Sequence, residues 1–149
     1  EVSHIADVKR VGRERLINFL GDSKTVWQEA LPRLRNPVSR TVRIAEKNLE
    51  KWNLLPAGLT ALSNRSLLNE PAYIEYALSR DAWKIMEKTD IEQIPVEEPG
   101  TCLLQVWCYD PKILGVEGYV DPFSLFLSLK DESDERIEMA LEEMMEQYL

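Results

Sequence analysis

The sequence predicts an α+β fold, with a β-hairpin and a linking helix first and then a mixed sheet packed by about four helices. Three observations predict it. Short β-branched or aromatic runs alternate with segments of helical apolar spacing. Turn residues separate these runs along the chain. Apolar residues are 44% and charged residues 30% of the 149 positions, which suits a packed core and excludes a disordered tail, collagen or a disulfide scaffold.

The first element is predicted to be a hairpin. Residues 4–9 and 15–20 have strand character, and Gly12 lies in the loop between them, where a positive φ is useful. Asp22 or Ser23 then caps a helix whose apolar residues recur about every fourth position.

Three segments are predicted to form the mixed sheet. The last of them carries the strongest strand signal, because it is apolar and aromatic and has proline-containing turns on both sides. The second segment has an alternative, a continuous helix that runs to Lys88. The segments are residues 41–45, 72–78 and 102–109.

Four helices are predicted to pack against this sheet. Pro56 stands in the first turn of the first helix, Ser79 caps the second, and Asp121 caps the third. A methionine-rich stripe on the fourth favours core packing, with a pliable partner surface as the alternative. The helices cover residues 56–68, 79–87, 121–130 and 133–149.

Charge is distributed unevenly along the chain. Residues 1–50 hold ten Lys and Arg and seven Asp and Glu, a net charge of +3, whereas residues 51–149 have a net charge of −11. A phosphate backbone repels the second part and attracts the first. Any contact with nucleic acid is therefore predicted in the first third of the chain.

Two charged surfaces are candidate binding sites. The basic one is the hairpin turn, where long cations can contact phosphates without reading the base sequence; the alternative is a solvated turn. The acidic one is the polar face of the last helix, which is either solvated or docks a basic partner. The candidate residues are Lys9, Arg10, Arg13 and Arg15 on the hairpin, and Glu138, Glu142, Glu143 and Glu146 on the helix.

The sequence offers little catalytic chemistry. His4 is the only histidine, so neither a catalytic triad nor a zinc site is predicted. The six glycines are scattered singly, which gives no phosphate-binding loop, and no cofactor is predicted. Cys102 and Cys108 lie about 20 Å apart along one strand, too far for a disulfide. Both are expected to be buried, inert thiols in a reducing compartment.

A metal-dependent nuclease is the enzymatic alternative. It would use Asp90, Asp110 and Lys112, because such sites set an upstream acid against an Asp-x-Lys motif on a strand. Pro111 weakens the match, since proline removes a ladder donor. No charge-free stretch approaches the roughly 20 residues of a membrane span, and no signal peptide opens the chain. A cytoplasmic location is therefore expected.

Several segments carry a family resemblance. Residues 10–19, Arg-Val-Gly-Arg-Glu-Arg-Leu-Ile-Asn-Phe, resemble the wing hairpin of a bacterial MarR-like winged helix-turn-helix regulator. Other segments resemble the region that follows the winged helix in AbiEi-type antitoxin-like transcriptional regulators. These segments are residues 27–32, 34–38, 57–62, 106–111 and 120–129.

The resemblance implies a non-enzymatic bacterial DNA-binding regulator whose winged helix precedes residue 1. Because the first residue is Glu1 rather than Met, the chain is expected to be a piece of a longer protein. The wing would be residues 3–20, and the recognition helix that reads the major groove is absent from the chain.

Two parts with different functions follow from this interpretation. Residues 1–35 are predicted to be the wing-like hairpin and linking helix of a DNA-binding domain, and residues 36–149 an α+β regulatory or interaction domain. Duplex DNA is the predicted partner of the hairpin in the full-length protein, and a second protein or a second copy is the predicted partner of the acidic domain. A pure protein–protein interaction module is the remaining alternative.

Overall fold

The computed structural model describes residues 5–149, so His4 lies outside the described part of the chain. The predicted α+β fold is confirmed. Contacts divide the chain into two compact units, residues 1–35 together with Leu149, and residues 36–148. No helix within residues 5–149 combines the length and the apolar character needed to cross a membrane.

The first unit contains the predicted hairpin. Strands β1 (Ala6–Val11) and β2 (Glu14–Phe19) pair antiparallel through a two-residue loop. The first loop residue, Gly12, has φ +63°, which glycine adopts without steric strain. Helix α1 (Ser23–Ala30) follows, and the Asp22 carboxylate accepts a hydrogen bond from its first turn, as predicted for this cap.

The second unit contains a four-stranded mixed sheet in the order β3-β6-β5-β4. The central strands β5 and β6 are parallel and the outer pairs are antiparallel. The three predicted strands are therefore confirmed, and the alternative helix running to Lys88 is wrong in its first part. The strands are β3 (Val38–Ala45), β4 (Leu55–Pro56), β5 (Glu75–Ser79) and β6 (Thr101–Trp107).

Four helices accompany this sheet. Ser79 and Asp121 cap two of them, as predicted, each accepting a hydrogen bond from the backbone three residues later. Met144 and Met145 of the last helix are buried, which fits the prediction of core packing, whereas Met139 is exposed. The helices are α2 (Gly58–Asn64), α3 (Arg80–Glu87), α4 (Pro122–Leu129) and α5 (Glu135–Tyr148).

Helices cover both faces of the sheet. Leu104 and Val106 of β6 pack with Trp83 and Met86 of α3 in one cluster. Because side chains alternate along a strand, Trp107 and its neighbours point to the opposite face, where α2 contacts β5. Helix α4 contacts both α2 and α5 and so extends that second layer. This is an α/β/α arrangement with apolar layers on each side of the sheet.

The predicted helix over residues 56–68 is wrong at both ends. Pro56 belongs to the edge strand β4, where a missing backbone donor is tolerated, and its carbonyl accepts a hydrogen bond from Val120. The helix itself covers only Gly58–Asn64. Leu67, which lies inside the predicted range but beyond the end of α2, is 97% exposed.

The predicted burial of both cysteines is wrong for Cys108, which is exposed, whereas Cys102 is buried in the core. Strand β6 ends at Trp107, so Cys108 lies beyond the paired residues and only its backbone N–H bonds to the Pro37 carbonyl. Burial raises the pKa of the Cys102 thiol to about 11, which keeps it protonated and unreactive.

Candidate nucleic-acid interface

The hairpin register separates charge from apolar surface along one face. Arg10 lies directly opposite Arg15, Val8 opposite Ile17, and Ala6 opposite Phe19. Directly paired residues of an antiparallel ladder share a face, as do residues two apart on one strand. This face is therefore cationic near the turn and apolar toward the open end of the hairpin.

All four predicted cations gather at the turn end. Arg13 lies in the loop and Lys9 points to the opposite face, across from Leu16. All four side chains are exposed, and within residues 5–149 none of them takes part in an ion pair. Like charges directly opposite in a ladder destabilise the pair, so an anion at this end would relieve a repulsion that the described chain leaves in place.

The apolar half of the same face is open. Val8, Ile17 and Phe19 are 53%, 59% and 60% exposed. A two-stranded hairpin is at best marginally stable in water without a packed face. Strand alternation in the sequence could have revealed this face, but not that it stays uncovered, because cover depends on distant elements.

The acidic residues predicted for partner binding also share a surface. Glu138, Glu142 and Glu146 follow each other at four-residue spacing along α5, and Glu143 lies beside them. All four are exposed, while the opposite side of the helix is buried. Met139 lies on the same exposed surface and is 60% accessible.

The residues of the nuclease alternative line two different depressions. Asp90 lines one depression with Asn48, whereas Asp110 and Lys112 line a different one with Ser79. The Asp110 carboxylate accepts a hydrogen bond of 3.0 Å from the Lys112 backbone N–H. Across residues 5–149, no group of three or more His, Cys, Asp or Glu side chains is placed to hold a metal ion.

A partly buried carboxylate that the sequence analysis missed joins α2 to the sheet. Glu75 of β5 accepts a hydrogen bond of 2.5 Å from the Leu59 N–H, and its own N–H donates to the Thr60 hydroxyl at 2.9 Å. Burial raises the pKa of Glu75, and the charge of Glu132 adds to the effect, while the Leu59 hydrogen bond opposes it. The reciprocal bonding gives Glu75 a structural role at the start of α2.

Replacing Glu75 by glutamine is expected to remove a pH dependence of stability. A carboxyl pKa raised above its ordinary 4.5 means that the folded state binds the proton more tightly, so the contribution of Glu75 to stability is greatest at low pH and is lost as pH rises through the folded pKa. The amide keeps the acceptor for Leu59 and carries no charge. Thermal unfolding at pH 4 and pH 7 measures this difference. The stability of Glu75→Gln relative to the wild type should be greater at pH 7 than at pH 4.

The exposed Glu70 provides the control for this measurement. Glu70→Gln removes an exposed carboxylate and leaves Glu75 in place, so the stability of this variant should follow the wild-type pH profile. A Glu75→Gln profile that also follows the wild type would show that the Glu75 carboxyl does not titrate differently on folding.

Comparison of the chain with protein-family models, with curated proteins and with solved structures gives no match. The resemblance of residues 10–19 to a wing hairpin therefore stays a prediction. The hairpin and the acidic surface of α5 are the two features that bear on function.

Proposed function

We propose that this chain is the regulatory and partner-binding portion of a bacterial DNA-binding transcription regulator of the antitoxin-like type, and that the β1–β2 hairpin contacts duplex DNA. The observation that carries the proposal is the directly opposed pair Arg10 and Arg15, with Lys9 and Arg13 at the same end. All four cations are exposed and have no carboxylate partner within residues 5–149. A polyanion is the ligand that such a cluster favours.

The hairpin is suited to positioning a protein on DNA rather than to reading its sequence. Arginine and lysine contacts with phosphates fix register and orientation, whereas base choice requires side chains in a groove. We assign base recognition to a winged helix outside this chain. The open apolar face, with Val8, Ile17 and Phe19, is then the surface that packs against the helices of that domain. The proposed role is non-enzymatic. The proposed location is the cytoplasm, where bacterial DNA lies.

The second unit has a different partner in this proposal. Its acidic α5 surface repels DNA and so leaves duplex binding to the hairpin. Glu138, Glu142, Glu143 and Glu146 are the residues that we assign to binding a basic partner surface.

The proposal predicts a salt-dependent affinity that depends on the hairpin. Four phosphate contacts correspond to a slope of about −3.6 in a plot of log K against log salt, by the usual −0.9 per contact. Fluorescence anisotropy with a labelled 20-base-pair duplex, from 20 to 150 mM salt, measures this slope for the chain. A variant without the four hairpin cations should have a slope close to zero. It combines Lys9→Ala, Arg10→Ala, Arg13→Ala and Arg15→Ala.

A matched variant separates a local contact from net charge. The second unit has exposed lysines, and replacing four of them by alanine removes as much positive charge as the hairpin variant does. These lysines are Lys51, Lys84, Lys88 and Lys130. This variant should keep the wild-type slope. Equal flattening by both variants, or no binding by the wild type at 20 mM salt, would contradict the hairpin contact and favour the interaction module, which the acidic α5 surface with its exposed Met139 already supports.

A further inference from the structure

The exposed surface of α5 carries an electrostatic cost. Glu138, Glu142 and Glu146 are spaced by four residues, and like charges at this spacing destabilise a helix. The last turn of α5 holds no basic residue, so Glu146 also faces the negative end of the helix dipole. Within residues 5–149 none of these carboxylates forms an ion pair.

The turn end of the hairpin carries a similar electrostatic cost between positive charges, because Arg10 lies directly across from Arg15. The two surfaces are complementary in charge, because the turn end of the hairpin holds Arg10, Arg13 and Arg15, with Lys9 on its other face, whereas the surface of α5 holds four carboxylates. Glu138 to Glu146 rises about 12 Å along the helix, and the hairpin from Arg10 to its loop extends about 7 Å, so the cations fit within the row of carboxylates.

We infer that the basic end of the hairpin of one copy docks on the acidic surface of α5 of a second copy. Each copy offers both surfaces, so two reciprocal contacts close a dimer with two-fold symmetry. Carboxylates on α5 then occupy the cations that the proposed function assigns to phosphates, and DNA and self-association exclude each other. The dimer rests on charge complementarity and does not require that DNA be the other ligand.

Sedimentation velocity measures this association. Between 1 and 100 μM protein in 25 mM salt, the chain should shift from monomer to dimer, and 300 mM salt should weaken the dimer by about tenfold or more because exposed charges are screened. A monomer at every concentration in low salt would overturn the inference.

Neutral variants locate the contact on α5. The first variant combines four substitutions on α5 and should remain monomeric at 100 μM. The substitutions are Glu138→Gln, Glu142→Gln, Glu143→Gln and Glu146→Gln. The control replaces four other exposed glutamates, Glu50, Glu70, Glu92 and Glu98, by glutamine and should dimerise like the wild type. A dimer that survives the α5 variant, or one lost equally in the control, overturns the inference.

A charge exchange distinguishes a specific contact from general attraction. One chain carries Arg10→Glu and Arg15→Glu, and the other carries Glu142→Arg and Glu146→Arg. In each chain alone the exchanged residues meet like charges and the altered surface loses its net charge, so the chain should be monomeric. A mixture restores opposite charges at both contacts and should form a heterodimer. Failure of the mixture to associate overturns the inference.

The outcomes also separate this inference from the proposed function. The α5 glutamine variant retains the hairpin cations, so in the anisotropy assay it should bind duplex DNA at least as tightly as the wild type. Dimerisation without DNA binding removes the proposed function and leaves the self-association. DNA binding by a chain that stays monomeric does the reverse.

Discussion

Replacing Gly58 by alanine is expected to lower the free energy of unfolding by about 3 kcal/mol or more, because two costs add at this position. Gly58 has φ +52°, where a side chain costs roughly 1–2 kcal/mol. A Cβ built there also collides with the Glu75 carboxylate, with Cδ at 2.6 Å and the Gln105 amide nitrogen at 2.9 Å. Glu75 cannot move away freely, since it accepts the Leu59 hydrogen bond at the start of α2.

Gly118 is the matched control for the backbone part of this cost. Its φ is +81°, and nothing lies within 4 Å of a Cβ built on it. Gly118→Ala should therefore cost only about 1–2 kcal/mol in urea unfolding followed by circular dichroism. If Gly58→Ala is no more destabilising than Gly118→Ala, the carboxylate is not held against α2.

A double variant tests the collision directly. Glu75→Ala removes the obstructing carboxylate together with the Leu59 acceptor, so it destabilises the protein when made alone. Adding Gly58→Ala to it should cost clearly less than adding it to the wild type, because the carboxylate no longer obstructs the Cβ and only the positive φ and the Gln105 amide nitrogen remain to be accommodated. The two substitutions should therefore show strong non-additivity, as expected for residues in contact.

Elements with local signals could be predicted from the sequence. The caps at Asp22, Ser79 and Asp121 bond to the backbone three residues on, and a side chain so close in sequence needs no distant partner to form that bond. The same holds for the hairpin, where Gly12 supplies the positive φ of a tight loop. Strand β6 was predictable because a continuous apolar run suits a strand covered on both faces.

Elements decided by distant contacts could not be predicted. Pro56 suits a first helical turn as well as it suits an edge strand, and pairing with Tyr76, twenty residues on, decides between them. Cys108 has the parity of a core residue on β6, but the strand ends before it. The role of Glu75 has no local sequence signal, because its partners Leu59 and Thr60 come from another element.

The candidate site divides in the same way. Clustering of Arg10, Arg13 and Arg15 at a turn follows from spacing alone, and the structure places them there. The direct opposition of Arg10 and Arg15 depends on the register, which the two-residue loop sets and which residue spacing alone leaves open. The exposure of Phe19 depends on what packs against the hairpin, which local sequence does not encode.

Replacing Trp107 by alanine is expected to destabilise the second unit by about 3–5 kcal/mol, because the side chain is fully buried and its removal leaves a cavity as well as lost apolar contact. The ring also meets Tyr109 edge to face, with centroids 5.6 Å apart, a contact worth about 0.5–1.5 kcal/mol beyond burial. Urea unfolding at pH 7 measures the loss.

Trp107→Phe separates the hydrogen bond from the packing. The indole N–H donates to the Gln105 side-chain oxygen at 3.1 Å, and Gln105 is itself buried, so phenylalanine leaves an unpaired acceptor at a cost of about 1–3 kcal/mol. Trp107→Phe should therefore fall between the wild type and Trp107→Ala. A Trp107→Phe variant as stable as the wild type would show that Gln105 finds another donor. Because the hairpin belongs to the other unit, a folded Trp107→Phe variant should keep the wild-type salt slope for DNA, which ties that slope to the hairpin cations rather than to the stability of the acidic unit.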